Sequence, residues 1–306
     1  MDPLKFLGME ASSDPLRWRL PVTSAVSTPG RFLYGGAGLA AGIVAMEHAT
    51  GRHTVWATAQ YLTYAPTGSL LDFEVVLAAV GKTTTQARAI GRLGDQEVLT
   101  VNGALGRRPL ELSGTWVKPP EVPDPEDCPR QEMPALFADS VHVRVEHRVA
   151  KGRLFSELDG RPGESRSAFW ARVPGHLEPS AATLAVIGDY VSGGTSQPLG
   201  VRTMGRSLDN TLRVAQLVPS EWVLCDIQMH ALANGFSHGL AHLWAQDGTL
   251  LGTASQSIGV RLWSDADLSR MLARNSAEPP GSADAQDGAG ASDAKSPDDS
   301  MRTAAS

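Results

Sequence analysis

The alternation of apolar and polar positions divides the chain into one helical stretch and one run of strands, and then repeats. GAGLAAGIVAMEHAT, Gly36 to Thr50, reads as a helix, and period-two patterns follow near 54–64, 71–80, 84–93 and 97–105. Further on, strand patterns near 141–149 and 167–173 precede PSAATLAVIGDY, Pro179 to Tyr190, which reads as a second helix with proline in its first turn. Strands are then expected near 206–217, 222–232, 238–245 and 250–262. The turns GDQE at Gly94–Glu97 and QDGT at Gln246–Thr249 each precede an apolar strand. Leu71-Asp72-Phe73-Glu74-Val75 recurs in type as Val223-Leu224-Cys225-Asp226-Ile227, 152 residues later, and Leu99 and Leu251 keep the same spacing. A repeat this long predicts a duplicated domain, and a helix with sequential antiparallel strands predicts an α+β fold.

The breaks in the pattern set the expected boundaries. Seven prolines between 107 and 134, from Pro109 to Pro134, predict an extended linker over 107–135. It separates an N-terminal unit, 31–106, from a C-terminal unit, 136–263. Residues 1–30 read as a lead-in whose Leu4, Phe6, Leu7, Trp18 and Leu20 dock on a core. A short helix is expected over 266–274, and the Ala, Ser, Asp, Gly and Pro composition beyond Asn275 predicts disorder. The chain has 306 residues, 27 Lys and Arg against 33 Asp and Glu, and a net charge of −6. That balance argues against nucleic acid and against a polybasic membrane patch. No apolar run has the length of a membrane helix, the first residues lack the pattern of a secretory signal, and two cysteines make no disulfide framework. A cytoplasmic location is expected.

Few residues stand out chemically. Gly36-Ala-Gly38-Leu-Ala-Ala41 fits a dinucleotide-binding fingerprint, but no strand of adequate length precedes it and no acid follows about 20 residues on. Small residues that let a helix pack closely explain it better. His230, His238 and His242 fall in the late strands; His238 and His242 share a face, but nothing fixes a third ligand near them, so no metal is expected. Cys225 alternates with apolar residues and reads as a buried small hydrophobe. Asp189 lies in the apolar run LAVIGDYV, where burial would raise its pKa toward that of a general base, unless it faces solvent at a helix end. Gln256 shares a strand face with Ala254, Ile258, Val260 and Leu262, so its amide needs partners. Ser207 opens the strand SLDNTLRV and by itself reads as an ordinary strand-edge hydroxyl.

The order and spacing of these segments resemble the acyl-CoA thioesterase II (TesB-like) family. The resemblance is carried by RFLYGGAGLAAGIVAMEH at Arg31–His48, WATAQYLTYAPTGSLLDFEV at Trp56–Val75, RSAFWARVPG at Arg166–Gly175, LAVIGDYVSGG at Leu184–Gly194, RSLDNTLRV at Arg206–Val214 and DGTLLGTASQSIGVRLW at Asp247–Trp263. It implies a double hotdog, in which each of two long helices is wrapped by a curved antiparallel sheet. It further implies hydrolysis of acyl-CoA to free acid and CoA, without a cofactor. Asp189 would activate a water held by Ser207 and Gln256. Serine stands where many members have threonine, and SLDN stands where an acid followed by histidine is common, a departure expected to alter the acyl pocket more than the chemistry. Ala104 falls where a second copy of Gln256 would lie, so one active site per chain is expected. A non-catalytic acyl-CoA-binding hotdog protein is an alternative. A hotdog enoyl-CoA hydratase fits less well, because the position five after Asp189 is Gly194 and not histidine. A small-residue helix and a long sheet edge predict a homo-oligomer.

Overall fold

A computed structural model describes residues 2–175 and 178–263, so the expected helix over 266–274 and the tail lie outside the described residues. The described chain forms helices α1 (Pro3–Leu7), α2 (Gly35–Thr50), α3 (Ala181–Gly188) and α4 (Ser196–Leu199). Strands β1 (Glu10–Ala11), β2 (Arg17–Pro21), β3 (Thr54–Tyr61), β4 (Leu70–Val80), β5 (Thr84–Leu93) and β6 (Gln96–Gly106) precede the proline-rich stretch. After it come β7 (Glu146–Lys151), β8 (Arg166–Arg172), β9 (Thr203–Ser207), β10 (Asp209–Val214), β11 (Val223–Ala233), β12 (Phe236–Ala245) and β13 (Leu250–Leu262). All belong to one antiparallel sheet in the order β1-β2-β4-β5-β6-β3-β10-β13-β12-β11-β8-β7, with β9 paired to β13. The architecture is an α+β hotdog with a large antiparallel sheet and few helices.

The sheet reads the same from its centre outward in both directions. β3-β6-β5-β4-β2 runs one way, and β10-β13-β12-β11-β8 the other. The halves meet where β3 pairs with β10, Thr58 opposite Thr211, and the two Oγ1 atoms lie 2.7 Å apart. α2 packs on β3, β5 and β6, α3 packs on β10, β12 and β13, and the two helices pack on each other.

The helices have local causes. α2 ends at Gly51, whose φ of 62° suits a glycine cap that returns its N–H to the Glu47 carbonyl. α3 starts two residues after Pro179, because Ser180 caps it by accepting the Thr183 N–H at 3.1 Å. It tightens into a 3-10 turn, Asp189–Thr195, from Asp189 onward. The glycines of α2 are used for close packing. A Cβ on Gly42 would come within 2.6 Å of Val101 Cγ2, and one on Gly36 within 2.9 Å of the Ala185 carbonyl oxygen. The small-residue surface of α2 is therefore spent inside this chain, and the expectation of a homo-oligomer now rests on sheet edges alone.

Three local readings differ from the structure. The lead-in does more than dock: with Phe6, Leu7, Trp18 and Leu20 buried, it adds β2 to the edge of β4. VHVR at Val141–Arg144, read as strand, is a 3-10 turn, and β7 starts after it at Glu146. The single strand expected over 206–217 is split at Leu208, because the Asp209 carboxylate takes the Ser257 N–H at 2.8 Å. The proline-rich stretch lies along the outer face of the second half, where the Trp170 Nε1–H donates to the Pro123 carbonyl at 2.9 Å beside buried Trp222 and Trp244.

Gly42→Ala tests the helix packing. Alanine is favoured by about 1 kcal/mol in a helix interior, whereas overpacking a filled core costs about 1–3 kcal/mol. With a β-branched neighbour at 2.6 Å the clash should win. Urea unfolding should show net destabilisation for Gly42→Ala, and almost none for Gly193→Ala, whose Cβ would meet nothing within 4 Å.

Candidate active site

The carboxylate of Asp189 lies at the meeting point of the two helices and the two central strands. It caps the C-terminus of α3, is 4% exposed, and faces the first turn of α2. Oδ2 accepts the Gly36 N–H at 2.6 Å. That N–H is one of the donors a helix leaves unpaired at its start, and the helix dipole there favours negative charge. A side chain at position 36 would collide with Asp189 itself, at 2.8 Å from its Cβ, so this approach requires glycine.

Two amides hold the other carboxylate oxygen. Gln256 Nε2, from β13, donates to Asp189 Oδ1, and Asn210 Nδ2, from β10, donates to the same atom at 3.2 Å. Both residues are buried, and Gln256 Oε1 and Asn210 Oδ1 have no hydrogen-bond partner among the described residues. Two tyrosines close the ring around the acid. Tyr34 donates to the Val186 carbonyl at 3.1 Å, and Tyr61 to the Gly35 carbonyl at 2.8 Å. Burial, then the charge of Asp189, holds both phenols well above their ordinary pKa, so they remain donors.

These forces act against one another on Asp189. Burial penalises the charged form and pushes the pKa up; Gly36, Gln256, Asn210 and the nearby Tyr34 hydroxyl pull it back. Burial wins, and the group sits at about 6 against an ordinary 3.8. It is ionised near neutral pH, yet basic enough to take a proton.

Asp189 opens onto a cavity of about 350 Å³. Ser207 lines the same cavity, at the end of β9, and its hydroxyl makes no hydrogen bond to Asp189. Gln256 and Asn210 do not line it. Of the residues singled out in the sequence, the structure therefore brings Asp189 and Gln256 into direct contact, with no water-sized gap between them, and places Ser207 on the wall of the cavity that Asp189 opens onto. Asn210, passed over as a pocket variation, reaches the carboxylate itself. A signal for it existed: Asn210 alternates with Leu212 and Val214, a lone amide on an inward strand face, as Gln256 is. The contribution of the Gly36 backbone had no such signal.

The histidines fall differently. His230 and His238 are exposed, His238 Nδ1 lies 3.2 Å from Ser257 Oγ, and His242 stacks on Trp244; none lines the cavity. His142 and His147, not singled out in the sequence, both do. Lys151, Arg153 and Arg206 also line it; Lys151 pairs with Glu164 at 2.9 Å and Arg153 with Asp159 at 3.2 Å. Cys225 is fully buried, and burial pushes its thiol far up.

Comparison with known proteins bears on the family and the fold. The family model for the acyl-CoA thioesterase C-terminal domain matches residues 119–260. A solved structure from Novosphingobium aromaticivorans, described as a candidate thioesterase, is 30% identical, with a TM-score of 0.74 over 82% of this chain and 98% of that one. A TesB protein from Mycobacterium avium subsp. paratuberculosis is 18% identical, with a TM-score of 0.69 over 85% of this chain and 98% of that one. An acyl-CoA thioesterase II from Mycobacterium marinum is 16% identical, with a TM-score of 0.66 over 86% and 99%. These two, at their low identity, speak for the fold. The comparison with curated proteins yields no match. With the buried acid, the open cavity and this set of relatives together, the chain belongs to the acyl-CoA thioesterase II (TesB-like) family.

Proposed function

We propose that the protein is an acyl-CoA thioesterase built as two hotdog units, 31–106 and 136–263, joined by the linker 107–135, with one active site centred on Asp189. The observation that carries this reading is a buried carboxylate with a raised pKa, facing a cavity that a serine hydroxyl also lines. The mirrored strand order supports the two units. The first unit's helix carries no carboxylate before Glu47 and Ala104 stands in place of Gln256, so we assign it no second acid site.

A thioester carbonyl is already electrophilic, so an oriented water suffices as nucleophile. Asp189 takes a proton from a water held by the Ser207 hydroxyl, and the oxygen bonds to the acyl carbon. Negative charge then develops on the carbonyl oxygen. Gly35 lines the cavity in the first turn of α2, and its N–H is the donor we assign to that oxygen. The tetrahedral species collapses, the carbon–sulfur bond breaks, and Asp189 returns its proton to the departing CoA thiolate. Gln256 and Asn210 orient the carboxylate and set its basicity; they are positioning residues. Arg206 gives phosphate groups a favourable side of the cavity.

Asp189→Asn should lower the rate of CoA release by about 10²–10⁴-fold with the fold intact by circular dichroism; unchanged turnover, followed by free-thiol detection, would remove Asp189 from the mechanism. The two polar neighbours separate by pH profile. Asn210→Ala removes a donor to the carboxylate, so the acid limb of kcat/KM, expected near 6, should move to higher pH. Ser207→Ala should lower kcat by roughly 10–100-fold without moving the limb. A shift caused by Ser207→Ala and none by Asn210→Ala would reverse the two roles.

Ionisation of Asp189 should also weaken the fold. An acid whose folded pKa is raised favours folding below its unfolded value, and that benefit is lost as pH rises through the folded value. The shift from 3.8 to about 6 corresponds to about 3 kcal/mol. The stability of the wild type relative to Asp189→Asn, from urea unfolding, should therefore fall between pH 4 and pH 7. A difference that is constant or rises over that range contradicts the burial of this charge.

A further inference from the structure

One end of the cavity is built of rings. Tyr34, Phe137, His142, His147, Phe169 and Tyr190 all line it. They meet largely edge to face: His147 and Tyr190 have centroids 4.4 Å apart at 67°, Phe137 and His142 5.2 Å at 73°, and Phe169 and Tyr190 5.7 Å at 75°. Aromatic residues make up 6% of the chain, so this gathering is a local concentration. It begins at the acid itself, since Tyr190 follows Asp189 and the Tyr34 hydroxyl lies beside it.

The wall also carries two imidazoles that are poorly satisfied within the described chain. His142 Nδ1 lies 3.0 Å from Tyr190 Oη, and this is the only hydrogen bond its ring makes among the described residues. Both ring nitrogens of His147 lack a partner there. Burial holds His142 down at about 4 and His147 at about 3, so both are neutral imidazoles near pH 7. Tyr190 stays protonated, because burial and then the charge of Asp189 push it well above the ordinary phenol range. If Tyr190 donates to Nδ1, the Nε2 of His142 carries a proton and donates; if it accepts, Nε2 accepts. A hydroxyl group on a ligand suits either state.

Resting on the thioesterase reading, we propose that this ring-lined end is the acyl subsite, that it takes an aryl or arylalkyl thioester bearing a ring hydroxyl, and that His142 pairs with that hydroxyl. Ring edges offer a planar acyl group favourable geometry beyond the area it buries. A saturated chain gains only area and leaves the second ring nitrogen of His142 desolvated without a partner. Tyr190 couples the subsite to the reacting centre, being bonded to His142 and adjacent in sequence to Asp189.

The experiment compares 4-hydroxyphenylacetyl-CoA, phenylacetyl-CoA and octanoyl-CoA by CoA release, with wild type and His142→Leu. For the wild type, kcat/KM should fall in that order, with at least about tenfold separating the hydroxylated from the plain arylalkyl thioester. His142→Leu should level those two and keep both above octanoyl-CoA. Octanoyl-CoA equal to or better than phenylacetyl-CoA overturns the proposal, as does a hydroxyl preference that survives His142→Leu. If none of the three releases CoA, the thioesterase reading fails, and the subsite is then judged on free acids by calorimetry. Tighter binding of 4-hydroxyphenylacetate than of octanoate upholds the subsite; the reverse overturns it.

Discussion

The structure depends on a contact between a carboxylate and the start of a helix across the boundary of two similar halves. Asp189 ends one helix and accepts the Gly36 N–H at the head of the other, and both helices are packed tightly enough that position 36 tolerates no side chain. An isolated charge in such a place would cost several kcal/mol. Here the cost is offset by donors from three elements, α2, β10 and β13. The offset is incomplete, and the remainder appears as a raised pKa. The tension that weakens the fold is the same one that makes the acid a usable base near neutral pH.

Asymmetry between the halves concentrates the chemistry. The strand order is mirrored about the Thr58–Thr211 pair, so geometry alone would permit two equivalent sites. On the proposed reading sequence removes one: the first helix carries no carboxylate before Glu47, and alanine stands in place of Gln256. What the first half contributes instead is backbone, through Gly35 and Gly36, and two phenols, Tyr34 and Tyr61, that hold the helix ends in place. The site belongs to the contact between the halves and could not form in either one alone.

Much of this was legible in the residues. Most strands follow from periodicity, because each faces a buried layer on one side; the two central helices are buried almost all round and show instead as runs of small and apolar residues. Asp189 and Gln256 stood out as polar groups on apolar faces, and that physical oddity led to a real contact. Asn210 carried the same signal but was hidden behind its neighbour Asp209, which breaks the strand by taking the Ser257 N–H. The turn at Val141–Arg144 alternates as a strand would, and only its packing shows otherwise. The ring-lined end of the cavity could not be read at all. Its members come from distant segments, and their meeting is a property of the tertiary fold. Nor could the sequence show that Gln256 grips the carboxylate directly rather than across a water.

The most direct measurement is the ionisation of Asp189 itself, followed by carbon-13 resonance of side-chain carboxyls in labelled protein, with Asp189→Asn used to assign the signal. A midpoint near 6 is expected, moving upward in Asn210→Ala. A midpoint near 4, unmoved by loss of Asn210, would contradict the buried base on which the proposed catalysis rests.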